Sequence, residues 1–146
     1  MAGQPPQPDG WPVAVEHPDR SEAMLVTVAV SGGGVATSST RSRRWWHDGV
    51  EKHHQIDPNT AAPSTTDLAA VTVIAPSGWQ AEAHATAALS RGGVGVVSYL
   101  EGHGLHGLAV TAEGAALRTA GLAHLNLDIG RDVNIDRDGQ RIGAQR

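Results

Sequence analysis

Two hydrophobic patterns dominate the chain, and both predict β-strands. The segment Met24–Val30 (MLVTVAV) alternates, with Met24, Val26, Val28 and Val30 on the richer apolar side, which predicts a strand buried on one face. The segment Leu68–Ala75 (LAAVTVIA) is apolar without interruption, which suits a central strand covered on both faces. The sequence therefore predicts a sheet with at least one interior strand.

A different pattern follows this second segment. Alanine dominates from Trp79 to about Ser90, which predicts a helix with Ser77 as its N-cap and an end at Arg91-Gly92-Gly93. The next apolar run, Val94–Leu100 (VGVVSYL), fits a strand or a helix. Strands followed by a helix and a hairpin predict an α+β fold, mainly antiparallel sheet with one or two packed helices. The remaining predicted strands are Trp11–Glu16, Val35–Ser39, Leu105–Thr111 and a short return strand near Leu117.

The length of 146 residues fits one domain. Residues 1–10 are rich in Pro, Gln and Gly and predict a flexible lead, residues 11–122 hold the predicted elements, and residues 123–146 form a polar tail. The N-terminus lacks the cationic start and apolar run of a secretory signal, and no segment is long enough to span a membrane. We therefore expect a cytoplasmic protein without a membrane partner.

The amino-acid composition limits the kinds of functional site that the chain can form. The chain has no cysteine, which excludes disulfides, thiolate metal sites and thiol nucleophiles. Its formal net charge is -4, which does not fit nucleic-acid binding. One basic cluster stands out, and it surrounds Trp45 and Trp46 next to a turn signal at Asp48-Gly49. We interpret it as a solvated hairpin edge, and the alternative is a patch that faces phosphate. Its cations are Arg41, Arg43, Arg44 and Lys52.

The first segment that could carry chemistry is His54–Thr60 (HQIDPNT). Pro58 holds the backbone of Asp57 extended, and the Asp57 carboxylate can then accept hydrogen bonds from nearby backbone N–H groups. A loop fixed in this way would support His54 as a general base. The alternative is an ordinary Asp-Pro turn beside a partly exposed histidine.

Two further segments offer oxygen ligands. Glu82 and Thr86 are four residues apart on the predicted helix, so both lie on one face, where a carboxylate and a hydroxyl could reach Mg²⁺. The alternative is a solvated glutamate and a threonine bonded to its own helix. Thr37 and Ser38 follow a triple glycine, and hydroxyl and N–H groups in such a turn can bind phosphate, although most such turns bind nothing.

In order along the chain, these segments resemble the ApbE family, the FAD:protein FMN transferases. VATSS at 35–39 resembles the family's A-T-S-G stretch, HQIDPNTAAP at 54–63 its H-x-I-D-P-x-T-G-x-P motif, and the strand and helix at 68–89 its buried strand and A-D-A-x-A-T-A helix. The likeness covers about residues 11–120, and the order of the motifs makes it more specific than any single one. The fold it implies is the C-terminal half of an ApbE domain.

The resemblance implies a transferase that moves FMN from FAD to a threonine of an acceptor protein and releases AMP. It implies that Mg²⁺ is held by Glu82 and Thr86, and that His54 activates the acceptor hydroxyl. Thr37, Ser38, Asp57 and Thr60 then become candidate flavin-binding residues. These assignments agree with the general chemistry of phosphoryl transfer, in which a metal neutralises phosphate charge and a base takes a proton.

Three positions depart from the family pattern. Glu82 stands where the family has Asp, Ser39 stands where it has Gly after A-T-S, and Ala61 stands where it has Gly after the motif threonine. An alanine is strained at a site that needs a positive φ. Family members are also longer, and their N-terminal half supplies much of the flavin pocket and a further metal contact.

Three hypotheses follow from these observations. The chain is a flavin-transferase half-domain, or a non-catalytic remnant that binds a partner, or an unrelated small α+β binding module. An incomplete sheet would leave an open edge, so we also expect self-association or a complementing N-terminal half.

Overall fold

The computed structural model describes residues 5, 6, 8, 10–20 and 22–124, and the backbone of 134–135 and 141–142. Twelve strands and two helices are present in this part of the chain, together with a 3₁₀ turn at Ala120–Leu122. The strands are β1 (Trp11–Glu16), β2 (Met24–Val30), β3 (Gly34–Ser39), β4 (Arg44–His47), β5 (Val50–His53), β6 (Ile56–Asp57), β7 (Ala62–Pro63), β8 (Leu68–Ala75), β9 (His106–Thr111), β10 (Ala116–Arg118), β11 (Asn134–Ile135) and β12 (Arg141–Ile142). The helices are α1 (Gly78–Leu89) and α2 (Gly92–Gly102).

A four-stranded antiparallel sheet forms the centre of the fold, in the order β10-β9-β8-β3. Strand β8 is interior, and seven of its eight residues are buried. This confirms the prediction from its uninterrupted apolar run, because an interior strand with both faces covered has no solvent side. Strands β3 and β10 form the two outer edges.

The two helices pack on one face of this sheet. They bury a cluster in which Val71 and Val73 of β8 meet small alanines of α1 and the larger Val96 and Leu100 of α2. Ala81, Ala85 and Ala88 of α1 are completely buried, so this helix approaches the sheet closely. The alanine-rich sequence thus provides a helix face without bulky side chains, where β3 and α1 can touch.

The hairpin β1–β2 covers the opposite face of the sheet, where Val28 and Leu25 pack with Leu108 and Val110 of β9. The predicted apolar face of β2 is wrong at one end, since Met24 is 45% exposed and Leu25 is 2% exposed. The cause is a register shift opposite Val15 and Glu16, which inserts one residue and reverses the alternation beyond it.

Helix α2 resolves the ambiguous segment at 94–100. Four glycines and three valines give this helix low intrinsic propensity. A side chain from outside the helix favours its start, because Asp67 Oδ1 accepts a hydrogen bond from the backbone N–H of Gly93 at 2.8 Å. The glycines predicted to end α1 therefore begin α2 instead, and Gly92 has φ +71°.

Helix α1 begins and ends within one residue of its predicted bounds. Ser77 occupies the predicted N-cap position, but its hydroxyl donates to the Gln80 side chain at 2.7 Å and makes no bond to the helix backbone. Gly34 lies directly against this helix start, since a Cβ on Gly34 would overlap the backbone of Gly78. Glycine at position 34 therefore allows the start of β3 to touch the start of α1.

The segment between β3 and β8 forms two small hairpins, β4–β5 and β6–β7. The predicted turn at Asp48-Gly49 is confirmed, and both residues have positive φ. All four residues of β4 are exposed, which confirms the solvated hairpin edge. Neither hydrophobic cluster of the described residues includes a side chain from this segment.

The observed architecture confirms the α+β class with two packed helices and a mainly antiparallel sheet. The predicted boundaries at 11 and 122 stay predictions, because most of the lead and tail lies outside the described residues, at 1–4, 7, 9, 125–133, 136–140 and 143–146. Neither helix in the described part of the chain has the length and apolar character needed to cross a bilayer.

Candidate functional site

The centre of the candidate site is a contact between β3 and α1. Side chains alternate along β3, so Ser38 faces the helices, and its Oγ lies 2.9 Å from Thr86 Oγ1. Ser38 is only 4% exposed, and the Thr86 hydroxyl therefore satisfies a buried polar group. Glu82 is one turn before Thr86 and is exposed. The structure thus brings Ser38 and Thr86 together, with Glu82 on the same helix face.

Thr37 lies on the other face of the sheet. It pairs with Thr72 across the β3–β8 ladder, and the two Oγ1 atoms are 2.8 Å apart. Thr72 is buried, whereas Thr37 is exposed. Neighbouring residues of a strand point to opposite faces, so the two candidate flavin contacts Thr37 and Ser38 do not share a surface.

The loop 57–63 is fixed by its own polar groups. Asp57 Oδ1 accepts a hydrogen bond from the Asn59 N–H at 2.8 Å, and the Ala61 N–H donates to the Asp57 carbonyl at 2.9 Å. Thr60 Oγ1 accepts a longer bond, at 3.4 Å, from the Ala62 N–H. These contacts match the prediction that the Asp57 carboxylate fixes the loop.

Ala61 adopts a left-handed conformation with φ +53°. It stands where the ApbE motif has glycine, and the structure shows why glycine suits this position. The chain makes the same turn with alanine, at the cost of a contact between Cβ and its own backbone. The predicted strain at this departure from the motif is therefore confirmed.

The His54 ring is held at both nitrogens. Nδ1 lies 3.2 Å from the Ser42 carbonyl oxygen, and Nε2 lies 3.2 Å from the Gln55 side-chain nitrogen. A carbonyl only accepts, so the ring donates from Nδ1 to Ser42, and the neutral tautomer with this proton carries its lone pair on Nε2. The lone pair of Nε2 is then the basic site. Ser42 and Gln55 were not predicted, because neither residue type marks a histidine partner without the fold.

A second histidine, His53, adjoins the first and ends β5. Its Nδ1 accepts a hydrogen bond from the Gln55 N–H at 3.3 Å. Burial lowers the pKa of His53 below its ordinary 6.5, and the neighbouring His54 adds to this effect, while a backbone contact with Ser64 opposes it. Desolvation therefore favours the neutral form of His53 at the base of the β4–β5 hairpin.

The candidate residues form two groups. Ser38, Glu82 and Thr86 lie at the contact of β3 with α1, whereas His54, Asp57 and Thr60 lie on the segment before β8. Within the described residues no hydrogen bond or ion pair joins the two groups. His84 belongs to neither, because its Nδ1 lies 2.9 Å from Tyr99 Oη, towards α2.

The described residues include no group of three or more His, Asp or Glu side chains placed to hold a metal ion. The donors on α1 are nevertheless of the kind that Mg²⁺ prefers, since Glu82 offers a carboxylate and Thr86 a hydroxyl. The hydrogen bond to Ser38 fixes the Thr86 hydroxyl and leaves an oxygen lone pair free. The two residues therefore fit part of a magnesium coordination shell.

Known proteins resemble this chain over most of its length. The ApbE family model matches residues 1–111. The FAD:protein FMN transferase of Escherichia coli (strain K12) is 33% identical over 110 residues, which are 75% of this chain and 31% of the relative. The enzyme of the same name from Treponema pallidum is 37% identical over 78 residues, which are 53% of this chain and 22% of the relative.

Solved structures show the same relationship. The ApbE protein of Thermotoga maritima superposes with a TM-score of 0.69 at 32% identity, over 77% of this chain and 37% of that one. The flavinyl transferase ApbE of Pseudomonas stutzeri gives 0.64 at 30% identity, over 80% of this chain and 36% of that one. The matched regions lie in the C-terminal part of the ApbE proteins, and this chain spans about a third of their length. The chain belongs to the ApbE family.

Proposed function

We propose that this chain provides the C-terminal part of a flavin transferase that moves FMN from FAD to a threonine of an acceptor protein. The observation that carries the proposal is the position of the His54 ring, whose Nδ1 lies 3.2 Å from the Ser42 carbonyl oxygen, a contact that leaves Nε2 to act as the acceptor. Membership of the ApbE family supports flavin chemistry, and the similarity to FAD:protein FMN transferases supports this particular reaction.

In this proposal His54 acts as the general base. Nε2 accepts the proton of the acceptor hydroxyl, which displaces the Gln55 amide from that position. The threonine oxygen forms a bond to the phosphorus on the FMN side of the FAD pyrophosphate. The bond from that phosphorus to the bridging oxygen breaks, and AMP leaves with the electron pair. The Ser42 carbonyl stabilises the imidazolium because it accepts from Nδ1.

Glu82 and Thr86 would hold Mg²⁺ against the pyrophosphate. When bound, the ion neutralises phosphate charge. Ser38 orients the Thr86 hydroxyl, in the way that a hydrogen-bond partner orients a metal ligand in other sites. Asp57 and Thr60 shape the loop next to His54, and Thr37, on the opposite face of the sheet, stays a proposed flavin contact.

The length of the relatives supports a second candidate, a half-domain that needs a partner. This chain spans 31% of the Escherichia coli enzyme, and in this candidate the other acceptor and flavin contacts come from a second polypeptide. A second copy or a separate N-terminal half could supply them, because β3 and β10 are the edge strands of the central sheet within the described residues, and edge strands can pair with an added strand. The cytoplasm stays the expected compartment.

The test is a transfer assay. The purified chain is incubated with FAD, Mg²⁺ and an acceptor that the Escherichia coli relative modifies, and intact mass reports covalent FMN on the acceptor. That relative serves as the positive control. We expect His54→Ala and Glu82→Ala to abolish transfer, and His124→Ala, a change at an exposed histidine just after the 3₁₀ turn, to leave it unchanged.

A second arm adds the N-terminal region of the Escherichia coli enzyme as a separate chain. Transfer only in this arm would support the partner-dependent half. Absence of transfer in both arms, with a folded chain and an active positive control, would contradict flavin transfer. Transfer that survives His54→Ala would contradict the role of this base.

A further inference from the structure

The hairpin β4–β5 exposes large apolar side chains on the surface. Trp45 is 47% exposed, Trp46 is 72% exposed and Val50 is 51% exposed. A two-stranded hairpin without a core is marginal in water, and exposed tryptophan beside arginine is typical of the energetic centres of protein interfaces. These features indicate that the hairpin contacts another molecule.

The two faces of the hairpin differ in charge. Trp45 is opposite Lys52 in the ladder, and His47 is opposite Val50, so these four residues share one face, which we call the Trp45 face. The other face holds Trp46 and an ion pair between Arg44 and Glu51, at 3.0 Å. The positive charge of that second face is neutralised, whereas Lys52 forms no ion pair with the described residues.

The hairpin region is cationic in an acidic chain. Residues 41–54 contain four of the 11 Lys and Arg residues but only two of the 15 Asp and Glu residues, and the formal net charge of the chain is -4. Arg41 pairs with Asp19 at 2.8 Å, but Arg43 pairs with no carboxylate in the described part of the chain. At the tip of the Trp45 face, His47 lies 3.5 Å from the Asp48 carboxylate. The base of this face therefore suits an acidic partner.

The base of the hairpin also adjoins the proposed catalytic base. Ser42, which precedes β4, contacts His54, which follows β5, at 3.2 Å. A strand of four residues is about 14 Å long, so a polypeptide bound along the hairpin has residues within a few positions of His54. We propose that the Trp45 face docks an acidic segment of the acceptor protein beside its target threonine. This inference rests on the proposed function.

The test measures peptide binding without FAD or Mg²⁺, so its outcome is independent of transfer. Three synthetic peptides carry one threonine flanked by glutamates, by glutamines or by lysines, and titration calorimetry gives the Kd of each. We expect the glutamate peptide to bind about tenfold more tightly than the glutamine peptide, with the difference reduced by salt. The lysine peptide should bind least.

Substitutions on the hairpin test whether the peptides bind to the Trp45 face. Lys52→Glu should weaken binding of the glutamate peptide about tenfold and favour the lysine peptide, and Trp45→Ala should weaken binding of both the glutamate and the glutamine peptide. Trp79→Ala is the matched control, because Trp79 is 74% exposed but lies on α1. Equal binding of the three peptides, or equal loss in Trp79→Ala, would overturn the proposal.

Sedimentation of the chain without peptide tests whether a second copy of the chain, and not the acceptor, occupies the Trp45 face. A dimer that Trp45→Ala dissociates, together with peptides that do not bind, would assign the Trp45 face to a second copy and overturn the proposal. Peptide binding as expected, without FMN transfer in the assay above, would retain the docking surface and count against the catalytic proposal alone.

Discussion

Ser38 and Thr86 share a hydroxyl–hydroxyl hydrogen bond of 2.9 Å that joins the edge strand β3 to helix α1. We expect the pair to be energetically coupled, because removal of the exposed Thr86 hydroxyl leaves the buried Ser38 hydroxyl unsatisfied. In a double-mutant cycle with Ser38→Ala and Thr86→Ala, urea unfolding should give a coupling energy of about 0.5–1.5 kcal/mol. Ser38→Ala combined with Ser98→Ala, an exposed site on α2, should be additive.

Ala61 provides a test of backbone strain. Its φ of +53° raises the conformational energy of alanine, whereas glycine adopts this φ without a steric penalty. Ala61→Gly should raise the free energy of unfolding by up to about 1 kcal/mol, since relief of strain outweighs the greater flexibility of the unfolded glycine chain. Ala62→Gly, in strand β7, is the control and should lower stability. Destabilisation by both changes would show that Ala61 is not strained.

Asp67 should stabilise helix α2 from outside it. Its carboxylate accepts from the Gly93 N–H at 2.8 Å, next to the positive end of the helix dipole. Asp67→Ala should lower the free energy of unfolding by about 1 kcal/mol, and Asp67→Asn by less, because the amide oxygen still accepts. Glu113→Ala, at the exposed turn after β9, should change stability by less than about 0.5 kcal/mol. A similar loss in both alanine variants would contradict this role.

The lowered pKa of His53 predicts a dependence of stability on pH. The unfolded chain takes up a proton near pH 6.5, whereas the folded chain does so only at a lower pH. Between the folded and unfolded pKa values, the unfolded state therefore binds more protons than the folded state. His53 does not reduce the free energy of unfolding above pH 6.5, and it lowers that free energy progressively as the pH falls below 6.5. Urea unfolding at several pH values should show a smaller decrease for His53→Gln than for the natural chain. Equal decreases would contradict the prediction.

The sequence predicted most of the central fold because its elements carry strong local patterns. Strand β8 is uniformly apolar, α1 is rich in alanine, and Asp48-Gly49 marks a hairpin turn. Helix α2 was ambiguous because its glycines and valines do not favour a helix. The carboxylate that favours its start, from Asp67, lies 26 positions before the bonded Gly93, and a local pattern cannot show such a contact.

The sequence could supply candidate residues for the site but not their arrangement. The motif around His54 and the pair Glu82 and Thr86 could be found from spacing and resemblance. The contact of Thr86 with Ser38 and the separation of Thr37 depend on which side of β3 faces the helix, and only the packed structure determines that side. The register shift between β1 and β2, which buries Leu25 in place of Met24, was not predicted because it too depends on how the elements pack.

The absence of hairpin side chains from both hydrophobic clusters of the described chain has a kinetic consequence. Opening of β4–β5 breaks ladder bonds but no core contact, so its amide protons should exchange with solvent far faster than those of β8. The ring of His54 is anchored at Ser42, immediately before this hairpin. The orientation of the proposed base should therefore be lost on heating before the domain itself melts, and the proposed FMN transfer should decline at a temperature below the Tm of the domain.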